Sequence, residues 1–143
     1  MEQITTTSEK QTFSFAKNYA KKLKGGEIIG LIGNLGAGKT IFTKGLAMGL
    51  RIKKTITSPT FVIMKIYPIR HPKSDIRNLV HIDAYRIKSA KDISAIGAEE
   101  YFYRQDAVVI IEWADRIKKV LPKKTKLVKI KIKNNSRIIN FLN

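Results

Sequence analysis

The sequence predicts an α/β protein with a parallel-rich central sheet flanked by helices and with a C-terminal β-hairpin. Short apolar runs alternate with segments of helical periodicity, and this alternation favours a parallel sheet that has helices on both sides. A glycine-rich turn joins one apolar run to a helix, and lysine alternates with apolar residues near the end of the chain. At 143 residues the chain has the length of one domain, and we expect residues 1–143 to form a single domain.

The first third of the chain contains two predicted helices on either side of one strand. A serine and a glutamine in capping-box spacing, followed by apolar residues at helical intervals, predict a helix over residues 9–24. Residues 27–32 have the apolar character of a buried strand, and a second helix is predicted over residues 39–50. In that second helix, the small residues Gly45 and Gly49 indicate close packing of the helix against the sheet.

Two buried strands, each followed by a carboxylate, are predicted in the middle of the chain. A β-rich segment over residues 60–69 precedes them. The first apolar run covers residues 79–82 and leads into Asp83, and the second covers residues 107–111 and ends at Glu112. Because ligands bind beyond the carboxyl ends of the strands in open α/β sheets, both carboxylates are candidates for a functional site.

The remaining segments are a partly helical stretch and the hairpin. Residues 92–104 have a partly helical pattern. Lysines alternate with apolar residues over residues 127–133, residues 134–136 are typical of a turn, and residues 137–142 form the return strand. We therefore expect a solvent-facing β-hairpin with a lysine face.

The composition excludes several classes of protein. A hydrophobic fraction of 43% argues against wholesale disorder, and the absence of cysteine excludes disulfides and thiolate metal sites. No apolar run approaches the ~18–20 residues of a membrane helix and no secretory signal is visible, so a cytoplasmic protein without membrane contact is expected. The net charge of +17 favours a polyanionic partner, although an A/T-rich genome also produces a lysine-rich chain. Eight of the lysines fall within residues 118–133.

A phosphate-binding loop is the most specific motif. Residues 33–40, Gly-Asn-Leu-Gly-Ala-Gly-Lys-Thr, match G-x-x-x-x-G-K-[ST] at every required position, between a predicted strand and a helix. Backbone N–H groups of such a loop surround a phosphate at the positive end of the helix, Lys39 is expected to reach the β- and γ-phosphates, and the Thr40 hydroxyl is expected to bind Mg²⁺. The fold is therefore predicted to be P-loop NTPase-like, with nucleotide bound by Asn34, Leu35, Gly36, Ala37, Gly38, Lys39, Thr40 and Ile41.

The two carboxylates have open roles. Glu112 is a candidate for holding Mg²⁺, directly or through water, or for orienting the attacking water. Asp83 is a candidate for supporting the metal or for orienting water, or it is simply a turn residue after a strand. His81 has a spacing that suits a metal pair with Asp83, but His71 is the only other histidine, so a histidine-rich metal site is not expected. Trp113 either covers the nucleotide or packs in the core.

A possible switch segment lies between the loop helix and the next strand. Its residues are Ser58-Pro59-Thr60-Phe61. In P-loop proteins a hydroxyl at this point of the chain senses the γ-phosphate and the metal, whereas the alternative is a proline-set turn that leads into a strand.

Together these motifs resemble the bacterial TsaE (YjeE) family, which consists of small P-loop ATPases of the tRNA threonylcarbamoyladenosine pathway. The resemblance runs from about residue 33 to residue 113. It is carried by residues 33–40, by Ser-Pro-Thr-Phe, by His81-Ile-Asp-Ala-Tyr-Arg86 and by Ile-Glu-Trp, in the order and spacing of the family. Family members usually carry aspartate where Asn34 stands, and we expect little effect because that position points away from the phosphates.

The resemblance implies a function and a set of residue roles. Such proteins hydrolyse ATP slowly alone and join two related carbamoyltransferase-fold subunits that modify adenosine beside the anticodon of certain tRNAs. ATP hydrolysis then resets the complex between turnovers. Contact with tRNA is left open: it is indirect, or the lysine-rich hairpin faces tRNA or an acidic partner, or the lysines only record base composition. On this chain the resemblance implies that Lys39 and Thr40 bind ATP and Mg²⁺, with Glu112 also at the metal. It further implies that Asp83, Glu112 and Lys39 are catalytic, and that Trp113 lies near the nucleotide.

Two other functions compete with this interpretation. A small-molecule P-loop kinase would need an acceptor pocket and a lid carrying arginines, and the candidates Arg70, Arg77, Arg86 and Arg104 are not clustered. A GTPase is disfavoured because no Asn-Lys-x-Asp motif occurs. A basic RNA-binding module with a vestigial loop would need aromatic residues that stack on bases, and the lysine hairpin contains one phenylalanine and no tyrosine or tryptophan.

Overall fold

The computed structural model describes residues 2–57 and 63–142, and in this part of the chain seven strands form one mixed sheet. The strands are β1 (Glu2–Thr6), β2 (Ile28–Ile32), β3 (Met64–Pro68), β4 (Asn78–Asp83), β5 (Ala107–Glu112), β6 (Lys126–Lys133) and β7 (Ser136–Phe141). Across the sheet they are ordered β1-β7-β6-β2-β5-β4-β3. The four strands β6, β2, β5 and β4 run parallel, whereas β3, β7 and β1 pair with their neighbours in the antiparallel sense.

Helices cover both faces of the sheet and create two apolar cores. The helices α1 (Glu9–Ala20) and α2 (Lys39–Gly49) lie on one face, and α3 (Ala90–Ala95), α4 (Ala98–Phe102) and a 3₁₀ helix (Ala114–Val120) lie on the other. Alternate residues of β5 enter the two cores, because successive side chains of a strand point to opposite faces. The predicted α/β fold with a parallel-rich sheet flanked by helices is confirmed.

Most predicted elements are present, with shifted ends. The first helix ends at Ala20 rather than near residue 24, and its cap is Ser8, whose Oγ accepts a hydrogen bond of 3.1 Å from the backbone N–H of Gln11. The β-rich segment becomes β3, and its residues 60–62 lie outside the described part of the chain. The partly helical stretch becomes α3 and α4. Within residues 2–57 and 63–142, no helix is long and apolar enough to cross a membrane.

The C-terminal hairpin is an integral part of the sheet, and only one of its faces meets solvent. Strand β6 runs parallel to β2, and Val128, Ile130 and Ile139 are fully buried in the core formed with α1 and α2. The alternating residues Lys129 and Lys131 are exposed on the opposite face. The predicted lysine face therefore exists, but the hairpin also closes one of the two cores.

Strand β1 is an element that the sequence analysis does not predict. It pairs with β7 over the register from Glu2 opposite Phe141 to Thr6 opposite Arg137. Its segment is polar, and Ile4 is its one apolar residue, so it carries no clear strand pattern. It forms an edge strand because β7 offers an unpaired edge.

Gly45 and Gly49 permit close packing of α2 against α1, so the prediction that they pack against the sheet is wrong. A Cβ added to Gly45 would overlap the carbonyl oxygen of Phe13, and one added to Gly49 would overlap that of Lys17. Both carbonyls belong to α1. The small residues therefore bring two helix backbones together on the same face of the sheet.

Candidate functional site

The glycine loop and the carboxyl ends of β2, β4 and β5 enclose one cleft. It has a volume of about 490 Å³. It is lined by residues of the glycine loop and of the ends of β4 and β5, and also by residues of α1 and β7, which contain no recognised motif. Its lining residues are Glu9, Leu35, Gly36, Gly38, Lys39, Thr40, Ile41, Ile63, Asp83, Tyr85, Arg86, Glu112, Trp113 and Arg137. Two other residues predicted to bind nucleotide, Asn34 and Ala37, do not line the cleft. The Ala37 side chain is buried in a core, and the backbone carbonyl oxygen of Asn34 accepts a hydrogen bond from Nζ of Lys39.

The shape of the loop depends on glycine at three positions for two different reasons. Gly36 and Gly38 have φ angles of 80° and 111°, in the left-handed region that residues with a Cβ rarely adopt. A Cβ at Gly33 would instead overlap the carbonyl oxygen of Ile130 on β6. The loop is therefore held against the hairpin strand, and its N–H groups lie at the start of α2, where the helix dipole favours an anion.

Lys39 lies folded across the loop. Its Nζ donates hydrogen bonds to the carbonyl oxygens of Gly33 and Asn34, the second at 2.9 Å, and lies 4.0 Å from the centroid of the Trp113 ring. Burial lowers the pKa of Lys39, while Glu112 and other nearby carboxylates act in the opposite direction. These contacts hold the Lys39 side chain in the cleft, against the carbonyl groups of the glycine loop.

A buried hydrogen-bonded chain connects α2, β5 and β4. The Thr40 hydroxyl donates to Oε1 of Glu112 at 2.9 Å, and Nε2 of His81 lies 3.1 Å from Oε2 of the same carboxylate. The His81 and Glu112 side chains are almost completely buried. Because an ionised carboxylate only accepts hydrogen bonds, Nε2 is the donor, and both oxygens of Glu112 are fixed in direction. His81 thus contacts Glu112 rather than forming the metal pair with Asp83 that its spacing suggested.

Asp83 combines a turn role with a place in the cleft. Its Oδ1 accepts a hydrogen bond of 2.9 Å from the backbone N–H of Tyr85, as in an Asx turn, and its own N–H donates to the carbonyl oxygen of Ile63. In the parallel register Asp83 lies directly opposite Glu112. The two carboxylates therefore end neighbouring strands at the same level of the sheet, whereas the strand pattern predicted only that each of them follows a buried strand.

Aromatic residues form one wall of the cleft. The rings of Tyr85 and Trp113 meet edge to face with centroids 5.0 Å apart, and the Arg116 guanidinium lies 4.5 Å from the centroid of Tyr85. Trp113 has a φ of 60°, which turns the chain sharply at the end of β5. This turn brings the indole against the Lys39 ammonium, so Trp113 lies both in the cleft and against the core on the face of α3 and α4.

The oxygen ligands in the cleft suit Mg²⁺. The Thr40 hydroxyl and the Glu112 carboxylate lie in hydrogen-bond contact, and both are hard oxygen donors. Within residues 2–57 and 63–142, no group of three or more His, Cys, Asp or Glu residues could enclose a metal ion. Mg²⁺ commonly binds to one or two protein oxygens together with substrate phosphates and water, so this donor set fits that ion better than a metal that requires a closed protein cage.

Sequence reasoning missed two charged residues of the cleft. Glu9 at the start of α1 and Arg137 on β7 line the cleft, although neither belongs to a motif. What brings Arg137 to the cleft is the close contact of the loop with the hairpin. That contact depends on pairing between strands that are far apart in the sequence, so no local pattern marks Arg137. The predicted switch residues Ser58, Pro59 and Thr60 lie outside the described residues.

Comparisons with known proteins agree on one family. The family model described as threonylcarbamoyl adenosine biosynthesis protein TsaE matches residues 6–139. The tRNA threonylcarbamoyladenosine biosynthesis protein TsaE of Rickettsia typhi is 40% identical over 134 residues, which cover 93% of this chain and 88% of that protein. The protein of the same name from Bacillus subtilis is 39% identical over 126 residues, or 88% of this chain and 75% of its own length. The crystal structure of YdiB from Bacillus subtilis matches with a TM-score of 0.77 at 33% identity, covering 98% of this chain and 83% of that one.

Proposed function

The chain belongs to the TsaE family, and we propose that it binds and slowly hydrolyses Mg²⁺-ATP in support of tRNA threonylcarbamoyladenosine biosynthesis. The observation that carries the proposal is the arrangement of Lys39, Thr40 and Glu112 around the glycine loop in one cleft. A loop of this sequence and backbone shape binds a phosphate chain, and the pathway is the one named in the relatives that cover most of the chain.

The residues of the cleft divide the work of binding. The loop N–H groups surround the β-phosphate, and Lys39 exchanges its two carbonyl acceptors for β- and γ-phosphate oxygens. Thr40 and Glu112 hold Mg²⁺, which neutralises charge that develops on the phosphates during hydrolysis. His81 keeps the Glu112 carboxylate in position from the side opposite Thr40, because it occupies the second carboxylate oxygen.

Asp83 and Glu112 are the candidates for orienting the attacking water. They end neighbouring strands at the same register position, and both line the cleft. Glu112 is in hydrogen-bond contact with Thr40, the other proposed metal ligand. We assign the metal to Glu112 and the orientation of water to Asp83, an assignment that separate variants can test.

Membership of the family supports the biological role that we propose. The chain joins two carbamoyltransferase-fold subunits that modify adenosine beside the anticodon, and its ATP hydrolysis resets that complex between turnovers. A small-molecule kinase is not favoured, because of the four arginines considered for a lid only Arg86 lines the cleft within the described residues. Arg104 instead forms a bidentate pair with Asp106 at a distance from the loop.

The experiment compares Mg²⁺-ATP binding and turnover in matched variants. Lys39→Ala is expected to abolish ATP binding in calorimetry, whereas Lys53→Ala, which removes an exposed lysine outside the cleft, leaves binding unchanged. Glu112→Gln keeps nucleotide binding and stops hydrolysis. If the Lys39 and Glu112 variants both hydrolyse ATP at the wild-type rate, the assignment of the site is wrong.

A second measurement tests the role in the complex. The slow ATPase activity of the chain alone is expected to rise when the two partner subunits are added together. Activity that is unchanged by the partners would contradict the resetting role, and fast phosphoryl transfer to a small metabolite would favour the kinase.

A further inference from the structure

Arg137 lies in the wall of the cleft on the side away from Trp113, on an element that the family motifs do not include. It belongs to β7, where it pairs with Thr6 of β1 and with Ile132 of β6. Its side chain runs beside the glycine loop: a Cβ built on Gly38 would lie 3.0 Å from Nε and 3.2 Å from Cδ of Arg137. Glycine at position 38 therefore has two consequences. It leaves space for the Arg137 side chain, and it allows the positive φ angle of the loop.

The Arg137 side chain is held in place by packing and not by a strong ion pair. It is 17% exposed, and its Nε is buried without a hydrogen-bond partner among the described residues. The nearest carboxylate, that of Glu9, lies 3.8 Å away and is 67% exposed. A guanidinium that is mostly buried without matched acceptors is unfavourable in the folded protein, unless an anion completes its contacts.

The surroundings of Arg137 identify the class of anion. Guanidinium groups bind phosphate oxygens through paired N–H donors, and this one lies beside the loop whose N–H groups are arranged for a phosphate. Strands on both sides of β7 fix the position of the backbone, so the side chain starts from a rigid base. In the strand order, β7 and β5, which ends in Glu112, lie on opposite sides of β2, the strand from which the loop extends.

We propose that Arg137 binds phosphate oxygens of the nucleotide held by the glycine loop, so that the C-terminal hairpin forms part of the nucleotide site. This inference rests on the proposed function, because it requires that the loop binds a nucleotide. In this arrangement Lys39 contacts the phosphate chain from one side and Arg137 from the other.

The test measures ATP and ADP affinity by calorimetry for wild type, Arg137→Ala, Arg137→Lys and Lys131→Ala. Arg137→Ala is expected to weaken the binding of both nucleotides about 10- to 100-fold, which is the usual effect of losing a hydrogen bond to a charged group. Arg137→Lys is expected to recover part of the lost affinity. Lys131→Ala removes the same charge from the exposed face of the hairpin and leaves affinity unchanged. Affinity of Arg137→Ala within twofold of wild type overturns the inference.

Two further measurements separate a phosphate contact from other roles. Inorganic tripolyphosphate is tested as a competitor of ATP, and Arg137→Ala should lower the affinity for tripolyphosphate by a factor similar to that for ATP. If the variant loses affinity for ATP alone, Arg137 contacts the base and the inference is overturned. Without nucleotide, Arg137→Ala should unfold at the same temperature as wild type or higher, because an unpaired buried cation is removed, whereas a lower temperature indicates a structural role. Failure of wild type to bind ATP would instead refute the proposed function.

Discussion

The two halves of the sheet differ in whether helices cover one face or both. In the central half, β2, β4 and β5 have helices on both faces, and every residue of β5 is buried. In the hairpin half, β1, β6 and β7 are covered on one face, where Phe15 and Tyr19 of α1 pack on Phe141. The opposite face carries exposed lysines. The central strands therefore appear in the sequence as continuous apolar runs, and the hairpin appears as an alternation.

This difference separates the chemistry of the cleft from the net charge of the chain. The central half supplies Asp83 and Glu112 at the ends of its buried strands, and the hairpin half supplies Arg137 from its covered face. Lys39 is the lysine that lines the cleft among the described residues. The lysines of the hairpin face the other way, so the charge of +17 says little about nucleotide binding.

The largest expected effect compares one isoleucine from each half. Ile110 on β5 is fully buried, whereas Ile132 on β6 is 55% exposed. Ile110→Ala should lower the free energy of unfolding by about 2–5 kcal/mol, because it leaves a cavity in the core that the sheet forms with α1 and α2. Ile132→Ala should change it by less than about 0.5 kcal/mol. Urea unfolding of both variants measures the difference, and equal losses would show that the two halves contribute equally.

A smaller effect is expected where α1, the helix that covers the hairpin half, meets α2. Gly45→Ala should lower the free energy of unfolding by about 1–3 kcal/mol, because the new methyl group overlaps the rigid backbone carbonyl of Phe13. The intrinsic preference of a helix for alanine, about 0.5–1 kcal/mol, acts in the opposite direction and is too small to compensate. Met48→Ala on the same helix, at a half-exposed position, is the control. A stabilised Gly45 variant would show that the two helices separate at low cost.

The smallest effect is expected at the amino end of β5, where charge and not burial is tested. The hydrogen bond from Arg104 lowers the pKa of Asp106 below its ordinary value of 3.8, and both side chains are partly exposed. A carboxyl group with a lowered pKa stabilises the folded state above its unfolded pKa, and this contribution disappears as the pH falls through the folded pKa. Asp106→Asn should therefore be slightly less stable than wild type at neutral pH. The difference in free energy of unfolding between the two proteins should shrink as the pH falls below 3.8 and vanish below the lowered pKa of the folded state. A difference that does not shrink with falling pH would assign the effect to something other than ionisation.

The sequence predicts the central half well and the hairpin half in part. Apolar runs that end in Asp83 and Glu112 are local patterns, so the strands and the shared edge of the sheet could be derived from them. Strand β1 could not be derived in this way, because it is stabilised by pairing with β7, which lies more than a hundred residues away in the chain. The same long-range pairing places Arg137 beside Gly38, and it leaves no local trace.

The packing partners of small residues are likewise not predictable from the sequence. The spacing of Gly45 and Gly49 indicates that something approaches α2 closely, but it does not say whether a sheet or a helix does so. His81 is a similar case. Its position in a buried strand is visible in the sequence, whereas its contact with Glu112 depends on the register between β4 and β5.

The position of Trp113 beneath Lys39 gives the chain an optical reporter of its own. Trp113 is the only tryptophan in the sequence, so all indole emission comes from one place in the cleft. The Lys39 ammonium lies 4.0 Å from the ring centroid and the Arg116 guanidinium 5.7 Å from it, and a cation at such distances shifts and quenches indole fluorescence. If Lys39 leaves the ring for a phosphate as proposed, the emission is expected to change. Occupancy of the cleft can therefore be followed in real time in the unlabelled wild-type protein.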